Sequence, residues 1–255
     1  MAIVDSRIVG QSRSTKIFYA CVRGLVVGLC RSLLRLRVVG LENVPNSGAF
    51  VFAPTHRSTI DIPVASAATR RRMRFMGKDS IWKFKLIGKA MTGLGAFPVT
   101  RGSADLEALK RCIAVLHSGE PLVMFPEGTR HFGPEVQPLF DGAAYVALKT
   151  GVPIVPAAIA GTEDVMRSGS KAIRFKKCRM VIGKPIAAEV PGGGRASREQ
   201  IAELTRTEMP GDRMTLKYSN KWRITFDNEA KSDGNLVFRM VIKNSDVEPV
   251  VVTIP

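Results

Sequence analysis

The sequence predicts an α/β fold, a central sheet flanked by helices, and three observations carry that reading. Short apolar runs bounded by proline, glycine or polar punctuation recur along the chain, at Ala49–Pro54, Gly95–Val99, Leu122–Phe125 and Ile154–Ala160. Runs of that length read as buried strands. Between them lie stretches of helical spacing, and strands alternating with helices argue for a layered arrangement. Hydrophobic residues make up 45% of the 255-residue chain and charged residues 24%, a globular balance in a chain long enough to bury a sizeable core.

Residues 1–14 are polar. From Ser14 to about Arg37, Ile17, Phe18, Val22, Leu25, Val26, Leu29, Leu33 and Leu34 recur at helical spacing among Lys16, Arg23, Arg31, Arg35 and Arg37. That mixture suits a helix lying in a membrane interface with its arginines at the head groups. The same pattern also serves a helix packed on the domain core. Leu41–Ser47 is a loop. After the strand at Ala49–Pro54, Thr55 to Asp61 leads into a helix through about Thr69. A strand near Arg74–Met76, a helix from Ile81 to about Met91 and the strand Gly95–Val99 follow. Asp105–Ser118 places Leu106, Leu109, Ile113 and Leu116 on one helical face. The strand Leu122–Phe125, a helix over about Ala143–Lys149 and the strand Ile154–Ala160 continue the alternation. Pro191-Gly192-Gly193-Gly194 is a break, followed by a short helix from Ser197 to Thr207. Beyond Pro210-Gly211, Leu216, Tyr218, Trp222, Ile224 and Phe226 alternate loosely with polar residues, and Leu236–Ile242 and Val250–Ile254 are strand-like. The expected organisation is an N-terminal membrane-interface helical segment (1–38), a main domain (39–210) and a β-rich tail (211–255). The tail is read as extra strands on the main sheet, a small appended β unit or a segment of foreign origin.

Lys and Arg number 38 against 22 Asp and Glu, a formal net charge of +16. Residues 221–255 contain five of each sign, so the whole excess lies in residues 1–220. A field of this sign attracts polyanions: nucleic acid, an anionic membrane surface or a phosphorylated substrate. No recognition-helix motif, zinc finger or exposed aromatic ladder supports nucleic acid. No metal-ligand cluster, Walker loop or Gly-rich dinucleotide fingerprint is present, so no metal or cofactor is indicated. Cys21, Cys30, Cys112 and Cys178 form no Cys-x-x-Cys pair and read as reduced, mostly buried thiols in a cytosol-facing protein. Arg23 and Arg31 break the N-terminal apolar stretch and no small-residue cleavage site follows cleanly, so the stretch is not read as a signal peptide. No run reaches the ~18 uncharged apolar residues a spanning helix needs.

Four segments carry chemistry. In Thr55-His56-Arg57-Ser58-Thr59-Ile60-Asp61, a histidine and an aspartate five residues apart follow a buried strand. On a regular helix they would lie about 140° apart. They meet if His56 sits in the loop and Asp61 in the first turn, where the carboxylate can fix the imidazole tautomer and leave the other nitrogen as a base. Ser58-x-x-Asp61 also matches a helix capping box, which needs no catalysis. Phe125-Pro126-Glu127-Gly128-Thr129-Arg130 turns at a strand end, where α/β folds place ligand sites, and Arg130 offers a planar fork for phosphate. Gly95–Arg101 ends another strand on an arginine. Val152-Pro153-Ile154-Val155-Pro156 is an apolar strand bracketed by prolines, a core strand with fixed direction in and out.

These four segments, in their order along the chain (Thr55–Asp61, Gly95–Arg101, Phe125–Arg130, Val152–Pro156) and with Phe-Pro-Glu-Gly-Thr-Arg complete, resemble the four motif blocks of the glycerolipid acyltransferase family, over roughly residues 40–190. The best-known members are the 1-acylglycerol-3-phosphate acyltransferases. One departure is Thr55, where the family usually has asparagine. The resemblance implies a central mixed sheet flanked by helices and an acyltransferase domain at 39–210. It implies that His56 is the general base and Asp61 its orienting partner, with no acyl-enzyme. Arg101 would bind the acceptor's phosphate, Arg130 would share it, Glu127 would position an arginine or the glycerol, and Gly128 would let the backbone approach. Lys78 is a further candidate for that pocket. Arg70-Arg71-Arg72 and Arg74 are read as a solvated or head-group-facing surface. The implied reaction moves an acyl group from acyl-CoA or acyl-carrier protein to lysophosphatidic acid. Glycerol 3-phosphate, another lysophospholipid or a glycolipid are alternative acceptors, and a non-catalytic anionic-lipid-binding module is the alternative of another class. The protein would act as a peripheral or monotopic protein at an anionic membrane surface, on the cytoplasmic face, with no nucleic-acid partner.

Overall fold

The computed structural model describes residues 12–99, 106–131, 138–167, 172–190 and 196–206 with their side chains, together with the backbone of residue 207 and of four strands further on. Helix α1 spans Arg13–Leu33 and is capped by the Ser12 hydroxyl, which accepts from the Thr15 N–H at 3.2 Å. The sequence carries this helical pattern to Arg37, but the helix stops at Leu33. Arg35 takes φ 46°, a left-handed conformation that ends helical pairing and turns Leu34 and Leu36 into the core. Strand β1 (Arg37–Val39) follows.

The succession is then β2 (Val51–Pro54), α2 (Asp61–Ala65), β3 (Arg74–Lys78), α3 (Lys85–Gly93), β4 (Ala96–Val99), α4 (Leu106–His117), β5 (Leu122–Val123), α5 (Gly142–Thr150), β6 (Ile154–Ala160), α6 (Thr162–Val165), β7 (Arg179–Ile182) and α7 (Arg198–Thr207). Seven strands form one sheet in the order β1-β7-β6-β2-β5-β3-β4. The five from β6 to β4 are parallel, β7 runs antiparallel to β6, and β1 runs parallel to β7, so the sheet is mixed as the resemblance implied. β1 and β7 are absent from the sequence reading. They are three and four residues long and only partly buried, so neither forms an apolar run.

Register sets the layers. Val51 lies beside Leu122 and Ile154, and Phe52 beside Val123 and Val155. Side chains alternate across a sheet, so Phe52, Val123 and Val155 face one way. There they meet Val27 and Cys30 of α1, Leu34 just after it, and Val64 and Ala65 of α2. Val51, Leu122 and Ile154 face the other way, against Cys112 and Val115 of α4 and Ala143, Ala144 and Ala147 of α5. All seven residues of β6 are buried. Pro156 is tolerated inside it because its carbonyl accepts from Gly183 N–H at 2.8 Å, on the β7 side; the missing N–H faces that side too, so no ladder bond to β2 is lost.

One sheet edge joins distant segments. Leu34 O accepts from Cys178 N–H at 2.9 Å, and Cys178 O accepts from Arg37 N–H at 3.2 Å. Gly40, at φ 83°, abuts the Ile182 carbonyl oxygen, to which Asn43 Nδ2 donates at 2.9 Å.

Arg72 and Arg74 are internal, contrary to their reading as a surface, whereas Arg70 is exposed. Arg72 and Arg74 hold the Glu120 carboxylate through their Nη2 atoms at 2.5 and 2.6 Å. Burial pushes the Arg74 guanidinium down and Glu120 pulls it back. Arg71 donates to the Pro45 and Gly48 carbonyls and lies 5.7 Å over the Phe50 ring. β8 (Met214–Lys217), β9 (Trp222–Ala230), β10 (Leu236–Asn244) and β11 (Val247–Ile254) form a separate antiparallel sheet in the order β11-β10-β9-β8, so the tail does not extend the main sheet.

Candidate active site

The five parallel strands deliver their carboxyl ends to one edge, the customary place for a ligand site in such sheets. His56 follows β2, Lys78 ends β3, Glu127 follows β5 and Thr162 follows β6. Thr55, the family departure, accepts from Ile159 N–H at 2.9 Å and donates to Ile159 O at 3.3 Å, tying the exit of β2 to β6.

His56 sits in the loop and Asp61 opens α2, so the pair meets. His56 Nδ1 lies 3.0 Å from Asp61 Oδ2. The same oxygen accepts from the N–H groups of Arg57 and Ser58, each at 2.6 Å. Oδ1 accepts from the Thr162 hydroxyl at 2.5 Å. Four donors thus converge on a carboxylate with no exposed surface. A carboxylate oxygen already taking two backbone N–H groups acts as an acceptor, which assigns the imidazole proton to Nδ1 and leaves the Nε2 lone pair available. Half of the capping box is present as well: Asp61 reaches back to Ser58 N–H, while the Ser58 hydroxyl donates to Met166 O at 2.7 Å and accepts from Ile60 N–H at 3.3 Å. One carboxylate serves both readings.

A second layer holds the imidazole. The Phe125 ring stacks on it at 3.9 Å between centroids and 21° between planes. Glu127 Oε1 accepts from His56 N–H at 2.8 Å, and Glu127 Oε2 pairs with Arg57 Nη1 at 2.9 Å. Arg57 is 3% exposed and Glu127 fully buried, so the arginine that Glu127 positions is Arg57. Removing either partner would strand a buried charge. Arg130 Nη1 donates to Thr59 Oγ1 at 2.6 Å, bringing the third block's arginine against the histidine loop. Gly128 takes φ 67°, and a Cβ there would lie 2.9 Å from the Phe140 ring, so the turn needs glycine for both conformation and space.

Lys78 is exposed at the end of β3, two strands from β2 and so about 10 Å away across the sheet. Among the described residues it forms no hydrogen bond or ion pair with the others. Arg101 lies outside the described residues. The sequence reading missed Arg57, Thr162 and the Phe125 stack. Thr162 had a faint signal, since it follows Gly161 at the end of a fully apolar strand. Cys30, Cys112 and Cys178 are buried thiols in no disulfide, and Cys21 is exposed. Burial pushes the Cys178 thiol up to about 12, with Cys30, Asp61 and Asp164 adding to the shift. Such a thiol supplies no thiolate nucleophile at neutral pH.

A tautomer-fixed imidazole with an available Nε2 lone pair thus lies beside a cationic turn at the carboxyl edge of a mixed sheet. Comparison with known proteins gives the family. A model of the acyltransferase family matches residues 35–160. A 1-acyl-sn-glycerol-3-phosphate acyltransferase of Bacillus subtilis is 31% identical over 175 residues, covering 67% of this chain and 82% of that protein. The chain belongs to this acyltransferase family. A chloroplastic protein of the same name from Brassica napus is 35% identical over 153 residues, covering 58% of this chain and 44% of the relative. One from Arabidopsis thaliana is 35% identical over 156 residues, covering 60% and 44%. The chain therefore spans less than half the length of the two chloroplast relatives. The fold matches that of a 1-acyl-sn-glycerophosphate acyltransferase, PlsC, from Thermotoga maritima, with a TM-score of 0.60 at 23% identity over 76% of this chain and 75% of that one.

Proposed function

We propose that the protein transfers a fatty acyl group from a thioester to the sn-2 hydroxyl of 1-acylglycerol 3-phosphate, giving phosphatidic acid for phospholipid synthesis. The observation that carries this reading is the 3.0 Å contact between His56 Nδ1 and a buried Asp61. Nε2 takes the proton of the acceptor hydroxyl as its oxygen attacks the thioester carbonyl carbon. The tetrahedral adduct collapses with cleavage of the C–S bond, and the proton on Nε2 passes to the departing thiolate. A thiolate leaves readily, so aligning and deprotonating the alcohol is the main task of the site. Arg130, with Arg101, is assigned to the acceptor's phosphate, and the family relatives named 1-acyl-sn-glycerol-3-phosphate acyltransferases support that acceptor. Acyl-CoA or acyl-carrier protein supplies the acyl group, and no other cofactor is called for.

The reaction is placed at the cytoplasmic face of an anionic membrane. Ile17, Phe18, Leu25, Leu29 and Leu33 of α1 are exposed, and α3 packs beside α1 where Gly93 meets Phe18, adding exposed Phe84, Leu86 and Ile87. Among the described residues no helix is long and apolar enough to cross a membrane, so α1 is assigned to lie in the interface.

The test is transfer from labelled acyl-CoA by purified protein in detergent, with lysophosphatidic acid and glycerol 3-phosphate offered side by side. Phosphatidic acid formed by the parent and lost in His56→Ala is the expected result. Product from glycerol 3-phosphate alone would change the acceptor. An undiminished rate in His56→Ala would overturn the assignment of the base. Failure with both acceptors and both thioester donors would favour a lipid-binding module.

A further inference from the structure

Away from the site at the sheet edge, the structure holds a cavity of about 550 Å³ between α1, the loop after β1 and the turn that follows α2. Its walls carry Arg23, Arg31, Arg70 and Arg71, and no aspartate or glutamate lines it. Arg23 Nε donates to Ser66 O at 3.0 Å, and Arg71 is spent on backbone carbonyls. Arg31 and Arg70 form no ion pair or side-chain hydrogen bond with any described residue. Burial holds the Arg23 guanidinium below its ordinary value; Tyr19 opposes this, while the charges of Arg31 and Arg70 push further down. Arg23 thus shares one cavity with Arg31 and Arg70 and feels their positive charge, and no aspartate or glutamate lines the cavity with them. Like charges kept together in this way are relieved by a bound anion. Val27, Leu41 and Val44 give the same cavity apolar walls.

We propose that this cavity seats the phosphate-bearing head group of an anionic membrane phospholipid, at a site separate from the one that performs acyl transfer. The arginines meet the phosphate, with Arg31 and Arg70 free to form the planar paired contacts that guanidinium makes with it. The apolar walls meet the glycerol ester region, which a free phosphate would leave unfilled. Leu25, Leu29 and Leu33 repeat the four-residue spacing of Arg23, Val27 and Arg31 two residues further on, so they run along the opposite flank of α1. A lipid in the cavity and an apolar stripe in the bilayer would hold the helix from both sides. Gly24 and Gly28 keep the cavity open on the helix side, since a Cβ at either would meet nothing within 4 Å.

The proposal rests on the interfacial reading of α1, and the experiment separates the two. Co-sedimentation with neutral phosphatidylcholine vesicles reads the apolar stripe alone, so a failure there belongs to the interfacial reading. Adding phosphatidylglycerol to the vesicles reads the cavity. Gly28→Leu fills the cavity while keeping every charge, adds apolar surface and favours the helix. It is expected to weaken binding to phosphatidylglycerol vesicles about tenfold and leave neutral vesicles bound as well or better. Equal or tighter binding to both would overturn the proposal. Arg31→Gln with Arg70→Gln is compared with Lys16→Gln with Lys89→Gln, which removes the same charge outside the cavity. General adsorption costs about fivefold per charge, so equal losses in the two doubles would also overturn it. A further tenfold loss in the arginine double is the expected result. Displacement of the vesicles by millimolar inorganic phosphate would identify a free-anion site and overturn the lipid assignment.

Discussion

Asp61 has more partners than the orientation of one imidazole requires. Two backbone N–H groups fix its position, His56 takes the working contact, and Thr162 saturates Oδ1 from 101 residues away. Thr162 is therefore a positioning residue. Thr162→Val should lower kcat about tenfold with KM unchanged, and should cost about 1–3 kcal/mol by leaving a buried acceptor unpaired. Thr162→Ser should restore both. A fall in melting temperature with kcat intact would make the contact structural only. Asp61→Asn should lower kcat about 10²–10⁴-fold, the range that base catalysis contributes, because the amide no longer assigns the proton to Nδ1. The His56–Asp61 pair was legible because its members are five residues apart behind an apolar strand. Thr162 and the Arg57–Glu127 pair were not, because no local pattern links residues 70 or 101 positions apart.

The elements show the same division between local and distant information. β2, β5 and β6 announce themselves because burial on both faces demands continuous apolar runs. β1 exists because it pairs with β7, and β7 because it lies between β1 and β6; nothing in Arg37–Val39 or Arg179–Ile182 taken alone requires either strand. Arg72 and Arg74 misled for a related reason: their counterion, Glu120, lies 46 to 48 residues further on. Glu120 ties the start of β3 to the turn before β5, and Arg74 is 1% exposed. Glu120→Ala should therefore destabilise the domain by about 3–5 kcal/mol, the usual result of stranding a buried charge, measured as a lowered urea midpoint. A shift under about 1 kcal/mol would show that Arg72 and Arg74 reach water instead.

At the scale of the molecule, charge and apolar exposure combine on the α1 side. The +16 charge was legible from counting, and so was its confinement to residues 1–220. The apolar surface beside α1 was not, because only the folded chain brings Phe84, Leu86 and Ile87 next to that helix. Leu25→Asp with Leu29→Asp should weaken partitioning onto neutral vesicles at least tenfold, read by co-sedimentation. Adsorption of the parent onto anionic vesicles should weaken with added salt, while adsorption onto neutral ones should not. Unchanged partitioning of the double variant would move the anchor to another surface.

The edge formed by β1 and β7 has a consequence in time. Asn43 meets the Ile182 carbonyl 139 residues further along the chain, and a ribosome adding ~5–20 residues per second needs on the order of ten seconds to deliver it. Until then β1 has no neighbouring strand, and the helix before it is held by no completed sheet. A nascent chain near a bilayer would present the α1 stripe to lipid before His56 has a finished fold around it. Attachment would then be decided by the order in which the chain emerges, and the enzyme would assemble on a surface it already occupied.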